Sequence, residues 1–337
     1  VEITSVYIAE AQEGAEIRKG TARYLQFSKK HGVTIVAGKA VFSDALKFNL
    51  APLSRITITI NYRKAPKEPT VHMGSRTTSY ILRGISTPNT NFSKAFKEDH
   101  WFNISGIDVY DPTASSIAIL GNSITDGKGS TNNAQNRWPD FMSEIMNANP
   151  EKDPEKKDWT GVLNLGIGNN RILSVGLGEP GRIRFDRDIL EQRGLRAVII
   201  FEAINDIGTS KAPDETSRQL IEAYHVMISK AKARGLKVYM GTITPFRGCK
   251  SYFTEEREKA RKVVNDWIRT TKEIDGFIDF DALMRDPSEP EQLRKEWQSG
   301  DWLHPNPDGY KMMGEFAAKQ LSKQATPGNG FSTVTVR

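Results

Sequence analysis

The chain has 337 residues, of which 38% are hydrophobic and 26% charged, an ordinary globular composition, and no apolar run approaches the roughly 18–20 residues a membrane-spanning helix needs. Its 47 Lys and Arg against 41 Asp and Glu give a formal charge of +6, yet the two signs alternate along stretches such as residues 255–262. That pattern reads as solvated helix faces and argues against a nucleic-acid or membrane partner. A single cysteine, Cys249 in Arg-Gly-Cys-Lys, excludes an intramolecular disulfide and a zinc site built on paired cysteines, and with no histidine near it in sequence it reads as a bystander thiol.

The length suits two domains. The chain starts at Val1, without Met, inside the strand-like run Val-Glu-Ile-Thr-Ser-Val-Tyr-Ile, which reads as a processed or truncated start. Apolar and β-branched alternation predicts strands over residues 24–27, 33–37, 46–50 and 55–61, with Gly, Pro, Asn and Ser between them. No helical period of useful length appears there, so residues 1–112 are expected to form a small β-sandwich-like domain.

From residue 115 the pattern changes. Short buried-type runs at residues 115–120, 161–168, 196–204, 237–244 and 277–281 alternate with helical segments. Residues 217–233 place Leu220, Ile221, Tyr224 and Ile228 on one helix face, with Gly235 as a stop; residues 137–146, 254–272 and 308–321 also read as helices. Strand–helix alternation at this spacing predicts a parallel sheet covered by helices over residues 113–324, followed by a loose tail, residues 325–337. Ligands of such sheets bind at the carboxyl ends of the strands, so chemistry is sought just after each apolar run.

Four places qualify. Gly121-Asn122-Ser123 puts a hydroxyl directly after a strand, beside a glycine that permits a tight turn and before a turn whose backbone N–H groups are free for developing negative charge. Asn164-Leu-Gly-Ile-Gly-Asn-Asn-Arg171 is a loop able to present N–H groups inward. Asn205-Asp206 ends the third strand, where a carboxamide can donate to an oxyanion without carrying charge. In Asp301-Trp-Leu-His304 a carboxylate can accept from one imidazole nitrogen and leave the other as a base toward a serine; the same pair can also supply two metal ligands. A phosphate-binding loop at residues 121–130 fails on spacing: five residues separate Gly121 from Gly127, where the pattern needs four, and Gly129, not Ser or Thr, follows Lys128.

Together these segments resemble the consensus blocks of the SGNH (GDSL-like) hydrolases, over residues 115 to about 321. They are most similar to bacterial carbohydrate esterases of the xylan-esterase-like subgroup, to which Arg182-Ile-Arg-Phe-Asp-Arg-Asp188, Phe277-Ile-Asp-Phe-Asp281 and Gly300-Asp-Trp-Leu-His-Pro305 are also similar. The resemblance implies a three-layer α/β/α, flavodoxin-like parallel sheet behind an N-terminal β domain. It implies Ser123 as nucleophile, His304 as base and Asp301 as acid partner. The implied oxyanion donors are the N–H of Ser123, the N–H of Asn169 (or of Gly168 if the loop is shifted) and the amide of Asn205. It further implies an acyl-serine intermediate with no metal or organic cofactor, an acylated carbohydrate as substrate, and a secreted or periplasmic location.

The chain departs from the family at three of these positions. Asn122 stands where the family has Asp, Asn169 where it has Gly, and Ala203 where it has Gly. Asn122 keeps a carbonyl acceptor but loses the charge, Asn tolerates positive φ, and Ala203 adds a methyl where backbone can approach closely. Other residues read as structural. His31, His72, His100 and His225 lie away from the blocks, and Trp138 reads as packing rather than a sugar platform. Arg171 is divided between an acidic sugar or acyl oxygen and a surface salt bridge. A lipase or thioesterase on the same residues, and a non-catalytic carbohydrate-binding protein on the same fold, are the rival functions.

Overall fold

The computed structural model describes residues 1–148 and 159–324; the expected tail, residues 325–337, lies outside them. The chain divides into two compact units, Val1–Ile107 and Asp108–Arg337. In the first, β1 (Glu2–Glu10) pairs antiparallel with β2 (Arg23–Tyr24), β3 (Val33–Thr34) and β4 (Ile56–Lys64). Two ribbons follow, β5 (Val71–His72) with β8 (Trp101–Phe102) and β6 (Ser79–Ile81) with β7 (Phe96–Glu98). The core of this unit is small, built on Ile3, Val6, Tyr7 and Ala9 of β1. Buried Asn61 pins a loop to it: its Oδ1 accepts the N–H and hydroxyl of Ser86, and its Nδ2 donates to Ser5 Oγ and the Ser86 carbonyl. The strand expected at residues 46–50 does not form. Its side chains alternate between half-buried and exposed, but no neighbouring strand supplies a ladder.

The second unit is built on five parallel strands, β9 (Ser115–Gly121), β10 (Thr160–Gly166), β11 (Leu195–Phe201), β12 (Lys237–Gly241) and β13 (Gly276–Ile278), in the order β10-β9-β11-β12-β13. Continuous runs such as Ile117–Leu120 and Val198–Phe201 are buried throughout, as strands covered on both faces must be. The helices are α1 (Ser123–Asp126), α2 (Trp138–Asn147), α3 (Gly181–Phe185), α4 (Ile204–Gly208), α5 (Pro213–Ala233), α6 (Glu255–Thr270), α7 (Phe280–Met284) and α8 (Pro307–Gln324). They pack in two groups against the sheet, α2 on α8 and β10, and α5 on α6 and β12. This is the expected flavodoxin-like α/β/α arrangement.

Local chemistry sets the element ends. Thr254 caps α6 by accepting the Arg257 N–H, and Gly235, at φ 72°, closes α5. Four expected strands end early, at Gly166, Phe201, Gly241 and Ile278, and at two of them the start of a helix is the cause. After Phe201 the backbone of Ala203 swings to φ 100° and starts α4, and after Ile278 the Asp279 carboxylate accepts the Ala282 N–H and starts α7.

Strand order reverses beside β9, which lies between β10 and β11, so the crevice at their carboxyl ends is the switch point of the sheet. Trp138, the first residue of α2, supports that end from below. It is fully buried, edge-on to Phe201 and Phe280 with ring centroids 6.2 and 5.3 Å away, and its Nε1 donates to Thr125 Oγ1 at 3.3 Å. Trp138 is therefore packing. Trp138→Ala should cost about 3–5 kcal/mol in urea denaturation, the range for emptying a large aromatic site; a loss below about 1 kcal/mol would show that the site collapses freely or is not core.

Candidate active site

β9 ends at Gly121, which is in register with Gly166 at the end of β10. A Cβ on Gly121 would overlap the Thr125 side chain, and one on Gly166 would overlap the backbone nitrogen of Asp126. The two missing side chains let the turn Asn122–Asp126 sit directly on the strand ends. Asn122 is extended and caps α1, its Oδ1 accepting the Ile124 N–H at 3.0 Å, and Gly127 closes the turn at φ 98°. Ser123 thus opens a single helical turn at the switch point.

The Ser123 hydroxyl lies 2.8 Å from His304 Nε2, and His304 Nδ1 lies 2.7 Å from Asp301 Oδ2. The other carboxylate oxygen, Oδ1, accepts the backbone N–H groups of Leu303 at 3.0 Å and His304 at 2.9 Å. Partial burial works against ionisation of Asp301, but the His304 ring and these N–H groups outweigh it and hold the carboxyl well below its ordinary range. An ionised Asp301 fixes the imidazole proton on Nδ1 and leaves Nε2 to accept from Ser123. The spacing of three thus works as a closed turn, in which one aspartate orients both the ring and the backbone that carries it.

Asn205 lies in α4, buried, with its Nδ2 donating to the Asn170 carbonyl at 2.7 Å and its Oδ1 accepting from the Tyr252 hydroxyl at 2.7 Å. A carbonyl can only accept, so the amide nitrogen must face Asn170, and one of its hydrogens is left over. Asn169 takes φ 53°, the left-handed region that Asn tolerates. Among the described residues the backbone N–H groups of Ser123, Gly168 and Asn169 have no acceptor. All three remain free donors at the ends of β9 and β10. Ala203 differs from the sequence expectation in its cause. Its burden is the backbone itself, a non-glycine residue at φ 100°, which costs on the order of 1 kcal/mol.

The profile of the GDSL-like lipase/acylhydrolase family matches residues 119–312, more than half of the chain. The chain belongs to this family. It is accordingly a carboxylic ester hydrolase. No curated protein matches it. Among solved structures it is similar to a GDSL-like lipase from Bacteroides thetaiotaomicron, at 19% identity and TM-score 0.46, covering 62% of this chain and 88% of that one. It is also similar to a carbohydrate acetylesterase from Sinorhizobium meliloti, at 14% identity and TM-score 0.47, covering 62% and 99%. An aryl esterase from M. smegmatis has 13% identity and TM-score 0.46, covering 62% and 99%.

Behind these groups of the acylhydrolase lies a buried polar layer whose bracing role the sequence does not show. Arg184, almost wholly buried, donates to the Gly121 carbonyl at 3.2 Å, to Asn170 Oδ1 at 3.0 Å and to Asp188 at 3.2 Å, and so ties β9 to the loop after β10. Its signal in sequence is the charged run 182–188. Asp206 accepts the N–H groups of Ile172 and Leu173, both at 2.9 Å, and braces the same loop from α4. Glu202, just past β11, accepts from Asn122. The remaining candidates stay apart from the site chemistry. His225 is exposed and bonded to Glu273 at 2.7 Å, Cys249 is a free thiol, and Arg171 donates to the Val175 carbonyl in its own loop rather than forming the salt bridge considered from sequence. Among the described residues no cluster of three or more His, Cys, Asp or Glu could hold a metal, and no helix is long and apolar enough to cross a membrane.

Asp206 makes the pH behaviour of this layer testable. Burial pushes its carboxyl up to about 6 from 3.8, against the N–H groups of Leu173 and Ile172 and the charge of Arg171. The folded state then holds the proton more tightly than the unfolded chain does. Its stabilising contribution is complete below the ordinary carboxylate value and is lost as the pH rises through about 6. Two pKa units correspond to about 3 kcal/mol. Urea denaturation from about pH 4 to about pH 7 should show the wild type losing up to about 3 kcal/mol relative to Asp206→Asn; a pH-independent difference between them would contradict this.

Proposed function

We propose that the enzyme cleaves short-chain acyl esters of carbohydrates, acetyl above all, through an acyl-Ser123 intermediate. The observation that carries this reading is the unbroken chain of hydrogen bonds from Ser123 through His304 to Asp301. In the proposed cycle His304 Nε2 takes the hydroxyl proton as Ser123 Oγ bonds to the ester carbonyl carbon. The resulting oxyanion is received by the Ser123 and Asn169 N–H groups, with Gly168 as the alternative backbone donor, and by the free hydrogen of the Asn205 amide. His304 then returns its proton to the departing sugar oxygen. A water, deprotonated in turn by His304, attacks the acyl-serine and releases the acid. Asp301 keeps the ring oriented and balances the imidazolium.

The carbohydrate reading rests on the likeness to the xylan-esterase-like subgroup and on the polar loop after α1, where Lys128, Thr131, Asn132 and Asn133 are exposed while Asp126 is buried. Secretion or a periplasmic location belongs to the same reading. A second reading, longer acyl chains, is favoured by Val175 and Leu177, which are 70% and 69% exposed on the loop beyond Asn169. Leu177 lies beside Gly168. A contiguous exposed apolar surface beside a site is the kind of surface that receives an acyl chain. A series of 4-nitrophenyl esters separates the two, with Ser123→Ala as the control for background. Efficiency should fall steeply from acetyl to octanoyl, and the variant should lose nearly all turnover. A maximum at octanoyl or beyond would replace the carbohydrate reading with the lipase one, and a Ser123→Ala variant keeping more than a few per cent of the wild-type rate would remove Ser123 from the nucleophile's role.

A further inference from the structure

The side-chain amide of Asn122 works in both directions. Its Oδ1 accepts the Ile124 N–H at 3.0 Å and so fixes the first turn of α1, while its Nδ2 donates to Glu202 Oε2 at 2.5 Å. The cap needs the oxygen on the α1 side, and an amide rotated by half a turn would aim its own hydrogens at the Ile124 N–H. An acceptor on the opposite side forbids that rotation, and Glu202 Oε2 is that acceptor. It also explains the Gly-Asn-Ser motif. A carboxylate at position 122 would meet Glu202 acid to acid and require a shared proton, whereas an amide supplies the donor outright.

Glu202 is itself held firmly. Its Oε2 also accepts the Ala203 N–H at 3.1 Å, and the Tyr224 hydroxyl donates to its carbonyl oxygen at 3.0 Å. It is 2% exposed, and its Oε1 is buried with no hydrogen-bond partner among the described residues. A half-satisfied buried carboxyl costs stability, and the neighbouring Ala203 adds backbone strain. Burial pushes the Glu202 carboxyl well above the usual range, Asp206 adds to this, and Asn122, Arg184 and the Ala203 N–H oppose it. Among the described residues the only side chain that hydrogen-bonds the Glu202 carboxyl is Asn122, which precedes Ser123.

We propose that Glu202 is a positioning residue for Ser123: it locks Asn122 in the one orientation that seats the Ser123 hydroxyl against His304. This rests on the Ser123 reading above. The test compares Glu202→Ala, Asn122→Ala, the double variant and Glu202→Gln. It measures kcat and KM on 4-nitrophenyl acetate, the rate of Ser123 modification by a fluorophosphonate located by peptide mass spectrometry, and the melting temperature. Each alanine variant should lower kcat and modification rate at least about tenfold with KM within about threefold, the signature of a displaced reacting group. The double variant should be no more than about threefold worse than either single, because both remove one interaction. Glu202→Gln keeps an oxygen acceptor and should recover activity to within about threefold of wild type. Should Glu202→Ala not fold, Glu202→Leu fills the volume without an acceptor and reads the same quantity. The proposal is overturned if folded Glu202→Ala or Glu202→Leu keeps wild-type rates, if the two losses multiply in the double variant, or if Glu202→Gln is as impaired as the variant lacking an acceptor. A wild type that hydrolyses the ester but is not modified at Ser123 would instead remove the Ser123 reading, and this proposal with it.

Discussion

The contact between the turn Asn122–Asp126 and the two strand ends beneath it is the constraint on which the rest of the site depends. Parallel strands covered on both faces leave only their ends for chemistry. A reactive side chain must therefore be carried by a turn pressed against those ends. Here the turn fits because Gly121 and Gly166 stand side by side in register without side chains. Once it is seated, Ser123 is within hydrogen-bond reach of His304, a residue 181 positions away in sequence. Trp138 fills the space below it and donates to Thr125 of the turn, so the turn gains support from the core beyond its own four helical residues.

The polar groups around this turn divide into an outer set, which meets substrate in the proposed cycle, and an inner set, which fixes the outer one. Tyr252 and Asn170 together settle which way the Asn205 amide faces. Asp206 and Arg184 hold the loop that presents Asn169 and Gly168. Asp301 closes a turn on its own backbone before it touches the imidazole. Such an arrangement places donors and acceptors before substrate arrives, so little reorganisation is left to the reaction itself. The burial of Glu202 and the positive φ of Ala203 are local costs concentrated at this point of the fold, where natural chains most often carry them.

Much of this was legible in the sequence, for physical reasons that can be named. Buried parallel strands read as unbroken apolar runs, and helix faces repeat every three to four residues, so the five strands and the long helices were visible. Ser123 and Asn205 sit just past strand ends and could be picked out there, and Asp301 and His304 by their spacing of three. The inner set was not legible. Glu202, Arg184 and Asp206 look like surface charges in a linear chain, and only the fold shows that they are buried and paired with Asn122, Asn170 and the loop after β10. The exposure of Val175 and Leu177 on the loop 174–178 was likewise not legible, because burial depends on what packs against a loop and not on the loop's own residues. Residues 46–50 alternate as a strand should but have no strand to pair with. Alternation reports a half-buried segment, and pairing depends on partners that the segment itself does not encode.

The central claim is that Ser123 carries the acyl group between the two halves of the reaction. Quenching the enzyme in acid during steady-state hydrolysis of 4-nitrophenyl acetate, then mapping acetylated peptides by mass spectrometry, tests this most directly. The account predicts an acetyl group on Ser123 that appears within the first turnover and disappears when substrate is exhausted. An acetyl group that accumulates and decays at the turnover rate on any other residue, His304 included, would contradict it.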